Sequence, residues 1–196
     1  PMNMYDTSVK APMLVSRPGS VPQGAVERGL WSQYDVMPTL LDCAGLANPD
    51  AEWLPGRSFA PVLRGEAAEA REDVVVFDEY GPVRMVRDRE WKYVHRYPYG
   101  PNELYHLIED PDEERNLVAE PGLGRRIAEM KSRLDRWFDR YAEPRLDGAR
   151  LPVTGRGQVD LAGLEAEGRN PFGADWLCAP PELAAEVVKR RQADPG

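Results

Sequence analysis

Three short stretches gather the side chains best suited to holding a ligand. The run His95-Arg96-Tyr97-Pro98-Tyr99-Gly100-Pro101 sets an imidazole and a guanidinium among aromatic rings. Asp78-Glu79-Tyr80-Gly81-Pro82 is followed at once by Arg84, and Lys10 closes a polar run holding Tyr5 and Asp6. Cations donate hydrogen bonds to anions, and aromatic rings offer flat faces to an organic group. Lys10, Tyr80, Arg84, His95, Arg96, Tyr97 and Tyr99 are therefore the candidate substrate-binding residues. Other clusters carry less. Cys178-Ala179-Pro180-Pro181-Glu182 reads as a proline-rich turn with an inert thiol. Asp110, Asp112, Glu113 and Glu114 lack the spacing and central glycine of a calcium-binding EF-hand loop, and read as a solvated turn. His95 and His106 are the two histidines, too few for a histidine-built metal site, and His106 reads as structural or surface.

An anion would have to be held locally. The 196 residues carry a net charge of −8, which argues against general affinity for nucleic acid or anionic lipid. No apolar run approaches the roughly 20 residues of a membrane span. The two cysteines, Cys43 and Cys178, make no disulfide framework. A reducing, cytoplasmic setting is the expectation, with a secreted or periplasmic parent as the alternative.

Several elements must position these residues. Ala11-Pro12-Met13-Leu14-Val15-Ser16 is a short apolar run closed by Pro18-Gly19, which predicts a buried strand and a turn. A helix follows, with Ser32 or Asp35 as N-cap, Pro38 in its first turn and Gly45 past its end. Val36, Met37, Leu40, Leu41 and Ala44 recur in it at helical spacing. A short helix is expected over 59–63. Strands are expected over 74–77, 83–87, 91–95 and 103–107. The second and third form an antiparallel hairpin across the polar link Asp88-Arg89-Glu90, with one dry and one wet face. A long amphipathic helix over about 122–142 carries Ile127, Met130, Leu134, Trp137 or Phe138, and Tyr141 on its apolar stripe. The fold class is α+β: a four-stranded antiparallel sheet packed by a long helix, preceded by a strand–helix piece of a larger α/β domain. The organisation read from this is an α/β remnant over 1–65, an α+β subdomain over 66–145 and an extended, turn-rich tail over 146–196. The tail holds a last short helix within 182–191.

The order of these segments resembles the sulfatases of the alkaline phosphatase superfamily. The likeness runs through Asn3-Met4-Tyr5-Asp6-Thr7-Ser8-Val9-Lys10-Ala11-Pro12, then Ser32-Gln33-Tyr34-Asp35-Val36-Met37-Pro38-Thr39-Leu40-Leu41-Asp42, then Leu54-Pro55-Gly56-Arg57-Ser58. It continues in Arg84-Met85-Val86-Arg87, Trp91-Lys92-Tyr93, Glu103-Leu104-Tyr105-His106-Leu107, Asp110-Pro111-Asp112-Glu113 and Asn116-Leu117, with His106 where the family usually has Asp. The resemblance implies a parent that hydrolyses sulfate esters with a formylglycine, made from Cys or Ser, and a divalent cation, usually calcium. In the family those groups, and the Lys and His residues that bind sulfate, lie before the segment that opens this chain. No catalytic or metal-binding residue is therefore expected on this chain, which starts at Pro1 like an internal cut and should be inactive alone. The implied partners are an N-terminal sulfatase domain and a small-molecule or sugar sulfate ester. The apolar face left uncovered predicts self-association as a homo-oligomer. The alternatives are part of a phosphonate or phosphate ester hydrolase, or a non-catalytic binding module with this fold.

Overall fold

A computed structural model of the chain describes residues 3–78, 83–97 and 100–145, with Asp147 and Ala149. The expected sheet is present. Strands β1 (Val74–Phe77), β2 (Val83–Arg87), β3 (Trp91–Arg96) and β4 (Glu103–His106) pair in sequence order. Every pairing is antiparallel, with Val75 opposite Val86, Met85 opposite Val94 and Tyr93 opposite Leu104. Short links between apolar runs make neighbours in sequence neighbours in the sheet. β4 lies at an edge, as its sequence suggests.

Alternation along the strands divides the side chains between two faces. Val75, Val86, Tyr93 and Leu104 point to one face, where Met130, Leu134 and Phe138 of the long helix cover them. That helix spans Gly124–Tyr141, and its apolar stripe is the one its sequence spacing gives. Met4, Val83, Met85 and Val94 form a second cluster on the other face, flanked by Val9 and Val76. The expected wet face is thus a correction. A single-turn helix over Asp6–Val9, here α1, and the buried Met4 before it cover that face and leave β2 and β3 dry on both sides.

A 3₁₀ turn over Gln33–Asp35 leads into α2 (Val36–Cys43), and Gly45 follows with φ of +70°. In that region a side chain with a Cβ is disfavoured, so the glycine ends the helix. A further short helix, α3, spans Ala60–Leu63, and the long helix is then α4. Residues 11–16 depart from expectation. They join no ladder, and Leu14 is 98% exposed. The local pattern suits a strand, but a strand needs a neighbour for its N–H and C=O groups, and none of the described residues supplies one. Met37 and Leu40 of α2 are likewise exposed. Among the described residues no helix is long and apolar enough to cross a membrane. The helix expected within 182–191, the Cys178 turn and nearly all of the tail lie outside the described residues.

Candidate functional site

Of the seven candidate ligand-binding residues, the structure brings three together. Arg84 of β2, His95 of β3 and Tyr97 just beyond β3 meet on the face covered by α4. The His95 and Tyr97 rings stand edge-on with centroids 4.3 Å apart. The Arg84 guanidinium lies 5.0 Å from the Tyr97 centroid and 3.5 Å from that of Phe138. It also pairs with Asp147, from the segment after α4. Arg96 alternates to the opposite face, 2.9 Å from Glu103. Lys10 is apart from both groups, largely in solvent and 3.9 Å from Asp6. Tyr80 and Tyr99 lie outside the described residues.

Two further members of the cluster come from α4. Lys131 sits 2.7 Å from both oxygens of Asp135, one helical turn away, and 5.6 Å from the Tyr97 centroid. The Tyr97 hydroxyl reaches Asp135 at 3.4 Å. Sequence reading passed over this pair because i, i+4 charges on an amphipathic helix ordinarily sit on its wet face. Tyr93 lies 2.7 Å from His95 Nδ1 through its hydroxyl. Burial, assisted by the Lys131 and Arg84 charges and opposed by Asp135, depresses the His95 pKa to about 4. Burial, with Tyr97 and Asp135 nearby, pushes the Tyr93 hydroxyl up to about 12. Both groups are therefore neutral at pH 7.

The most deeply buried charges are elsewhere, at two junctions. Lys92 of β3 has no exposed surface. Its ammonium donates to the Met4 carbonyl at 3.0 Å and lies 2.5 Å from both Asp6 Oδ1 and Glu113 Oε1. Arg87 holds Asp6 Oδ2 at 2.5 Å, and the Asp6 N–H donates to Glu113 Oε2 at 2.6 Å. Burial raises the Asp6 pKa, but the hydrogen bond and charge of Lys92, joined by Arg87, outweigh it and leave the carboxyl below its usual value. Glu113 corrects the reading of the acidic run as wholly solvated. It is 6% exposed and adopts φ of +59°, a left-handed backbone that turns its carboxylate inward.

The second junction centres on buried Asp35. Its Oδ2 accepts from Ser32 N at 2.8 Å and Arg71 Nε at 3.0 Å. Its Oδ1 accepts from Arg57 N at 2.7 Å, and Arg71 Nη2 pairs with it as well. Thr39 Oγ1 donates to the Asp35 carbonyl at 2.6 Å and accepts from Phe59 N at 2.9 Å. The start of α2, the 54–58 turn and Arg71 are thereby tied together. At Gly56 a Cβ would stand 2.2 Å from the Tyr34 carbonyl oxygen, so the close approach requires glycine.

The donor set does not suit the calcium and formylglycine that the resemblance implies. Among the described residues no three His, Cys, Asp or Glu side chains converge as metal ligands. Asp6 and Glu113 face an ammonium, and Asp35 faces a guanidinium. Cys43 is exposed.

An antiparallel sheet under one long helix, tied at Lys92 and Asp35 through the segments that resemble sulfatases, defines the C-terminal region of such an enzyme. Residues 2–140 match the family described as N-sulphoglucosamine sulphohydrolase, C-terminal, and the chain belongs to that family. It is 34% identical over 148 residues to a Δ4,5-hexuronate-2-O-sulfatase of Bacteroides thetaiotaomicron, covering 71% of this chain and 30% of that protein. It is 32% identical over 125 residues to a choline-sulfatase of Rhizobium meliloti, covering 61% and 23% respectively. A solved phosphonate monoester hydrolase from Silicibacter pomeroyi aligns with a TM-score of 0.57 at 20% identity, over 81% of this chain and 32% of that one, a likeness of fold alone. The chain thus spans less than a third of the length of these sulfatase relatives.

Proposed function

We propose that this chain is the C-terminal part of a sulfate-ester hydrolase. In this reading it closes one side of the substrate pocket, and an α/β domain preceding it carries the formylglycine and the calcium. The observation that supports it is the match to sulfatases across 2–140, through residues whose side chains build both buried junctions. The exposed Met13, Leu14 and Val15, with Met37 and Leu40 of α2, supply the apolar surface for packing against that domain. Arg84, His95 and Tyr97 supply a wall of the pocket. The likeness to a phosphonate hydrolase is one of fold, which many chemistries share, so sulfate is the preferred ester.

The test is hydrolysis of an aryl sulfate, with a phosphonate monoester in parallel. The chain alone is expected to turn over neither, with or without calcium, and the complete enzyme is expected to prefer the sulfate. Turnover by the chain alone, or a preference of the complete enzyme for the phosphonate, overturns the reading.

A further inference from the structure

We propose that His95 is a specificity-determining residue whose neutral Nε2–H donates to an uncharged oxygen of the substrate's organic part, such as a sugar hydroxyl or ring oxygen, and that it does not bind the sulfate. The proposal rests on the sulfate-ester reading above. Its starting point is the spacing of Tyr93 and His95, two residues apart on one face of β3. Tyr93 is 2% exposed, at the sheet–helix core, so its hydroxyl proton needs an acceptor. His95 Nδ1, at 2.7 Å, is the acceptor the structure provides. An Nδ1 that accepts carries no proton, so the ring proton of neutral His95 is on Nε2. The reverse assignment, with Nδ1–H donating to the tyrosine oxygen, leaves the hydroxyl proton without an acceptor among the described residues. Among the described residues Nε2 has no hydrogen-bond partner. The ring therefore presents one unused donor.

The charges around that donor decide what it recognises. β2 contributes Arg84, engaged by Asp147 from the segment after α4, and α4 contributes Lys131, engaged by Asp135. Tyr93 is a neutral phenol. Among the described residues two cations and two carboxylates balance, which leaves no surplus positive charge there for a sulfate monoanion. A third cation on His95, between Arg84 and Lys131, is disfavoured by both. A neutral donor in a charge-balanced wall suits a neutral acceptor. A sugar ring bears several such oxygens, whereas a plain aryl ring or a quaternary ammonium group bears none. A site that must hydrogen-bond its ligand discriminates against one lacking the acceptor, because the donor is then desolvated without return.

The test uses the complete enzyme and compares kcat/KM for a monosaccharide sulfate and for phenyl sulfate. His95→Phe, which keeps a ring and removes the donor, is expected to shrink the sugar-over-aryl preference about tenfold or more, chiefly through KM. His95→Gln, which restores an amide donor, is expected to recover much of it. In the unaltered enzyme the preference should be flat between pH 6 and 8. Equal losses on both esters in His95→Phe, or a preference that falls as pH rises through the ordinary histidine range, overturn the proposal. Failure of the complete enzyme to hydrolyse either ester overturns the sulfate-ester reading itself. A separate arm does not depend on activity: ¹⁵N NMR of the chain should show His95 protonated at Nε2 and bare at Nδ1 from pH 6 to 8. A proton on Nδ1 overturns the proposal whatever the kinetics show.

Discussion

Lys92→Met isolates what the buried junction contributes to stability. Methionine has much the same length and volume as the lysine stem, so the substitution opens little cavity and removes mainly the charge. What goes is the hydrogen bond to the Met4 carbonyl at 3.0 Å and two ion pairs at 2.5 Å. The two carboxylates are left in different positions. Asp6 keeps Arg87 at 2.5 Å, whereas Glu113 keeps only the Asp6 N–H at 2.6 Å. The uncompensated charge therefore falls mostly on Glu113, which is nearly inaccessible to water. Removing one partner of a buried ion pair costs about 3 to 5 kcal/mol, roughly a fifth or more of the stability of an ordinary domain. Urea unfolding followed by circular dichroism should show the midpoint falling with little change in slope. Adding Glu113→Gln, which removes the stranded charge while keeping an acceptor for Asp6 N, should return about 1 to 3 kcal/mol of that loss. A Lys92→Met variant within about 1 kcal/mol of the parent, or a double variant whose loss equals the sum of the two single losses, refutes the junction.

The remaining predictions concern the sheet core, the turn, the exposed run and pH. Leu134→Ala, fully buried between α4 and the sheet, should cost about 2 to 5 kcal/mol in the same unfolding assay. Gly56→Ala should cost about 1 to 3 kcal/mol, because its Cβ meets the Tyr34 carbonyl and disturbs the Asp35 junction. Leu14→Ser should leave stability unchanged and reduce self-association of the chain in sedimentation velocity, since the side chain is in solvent. The folded pKa of His95, about 4, lies below its usual value near 6.5, so the unfolded chain takes up the proton first. The stability from the neutral ring is therefore complete above about pH 6.5 and lost as pH falls towards 4. Discounted for solvent screening of the half-exposed ring, the loss is about 1 to 2 kcal/mol, and His95→Gln should abolish that part of the pH dependence.

Much of the sheet and its helix could be read directly, because their signals are local. The alternation in Val83-Arg84-Met85-Val86-Arg87 and the polar link after it set β2 to the residue, and the stripe from Ile127 to Phe138 set α4 nearly so. The second buried face could not be read that way. Arg87 and Lys92 look like wet-face residues, and the partner that makes Lys92 buriable, Asp6, lies 86 positions away. A lysine set between Trp91 and Tyr93 is a faint sign of burial, but only the remote carboxylates convert it into a contact. Residues 11–16 show the converse. Their composition suits a strand, and composition alone cannot provide a neighbouring ladder. Within the candidate site, the spacing of His95 and Tyr97 was legible, as was the cation at Arg84. Lys131, Asp135 and Asp147, which neutralise the cluster, were not, because each reaches it from another segment.

The residues that carry the family likeness and those that would meet a ligand are under different physical constraints. Asp6, Asp35, Lys92 and Glu113 are buried charges, and a buried charge is tolerable only with its partner in place. Asn116 is bound in the same way, its Oδ1 accepting from Leu104 N and Val118 N at 3.0 Å each. Replacing any one of them leaves a group on a distant segment unsatisfied. They therefore mark the fold and say little about the ester. His95, just past the Trp91-Lys92-Tyr93 run, meets Tyr93 on one side, and in the proposal above it meets a ligand on the other. The family and the proposed substrate class consequently rest on separate observations, the match across residues 2–140 for one and an Nε2 without a partner among the described residues for the other. A protonated Nδ1 on His95 would remove the ground for the proposed sugar preference while leaving the Lys92 and Asp35 junctions, and the family assignment, intact.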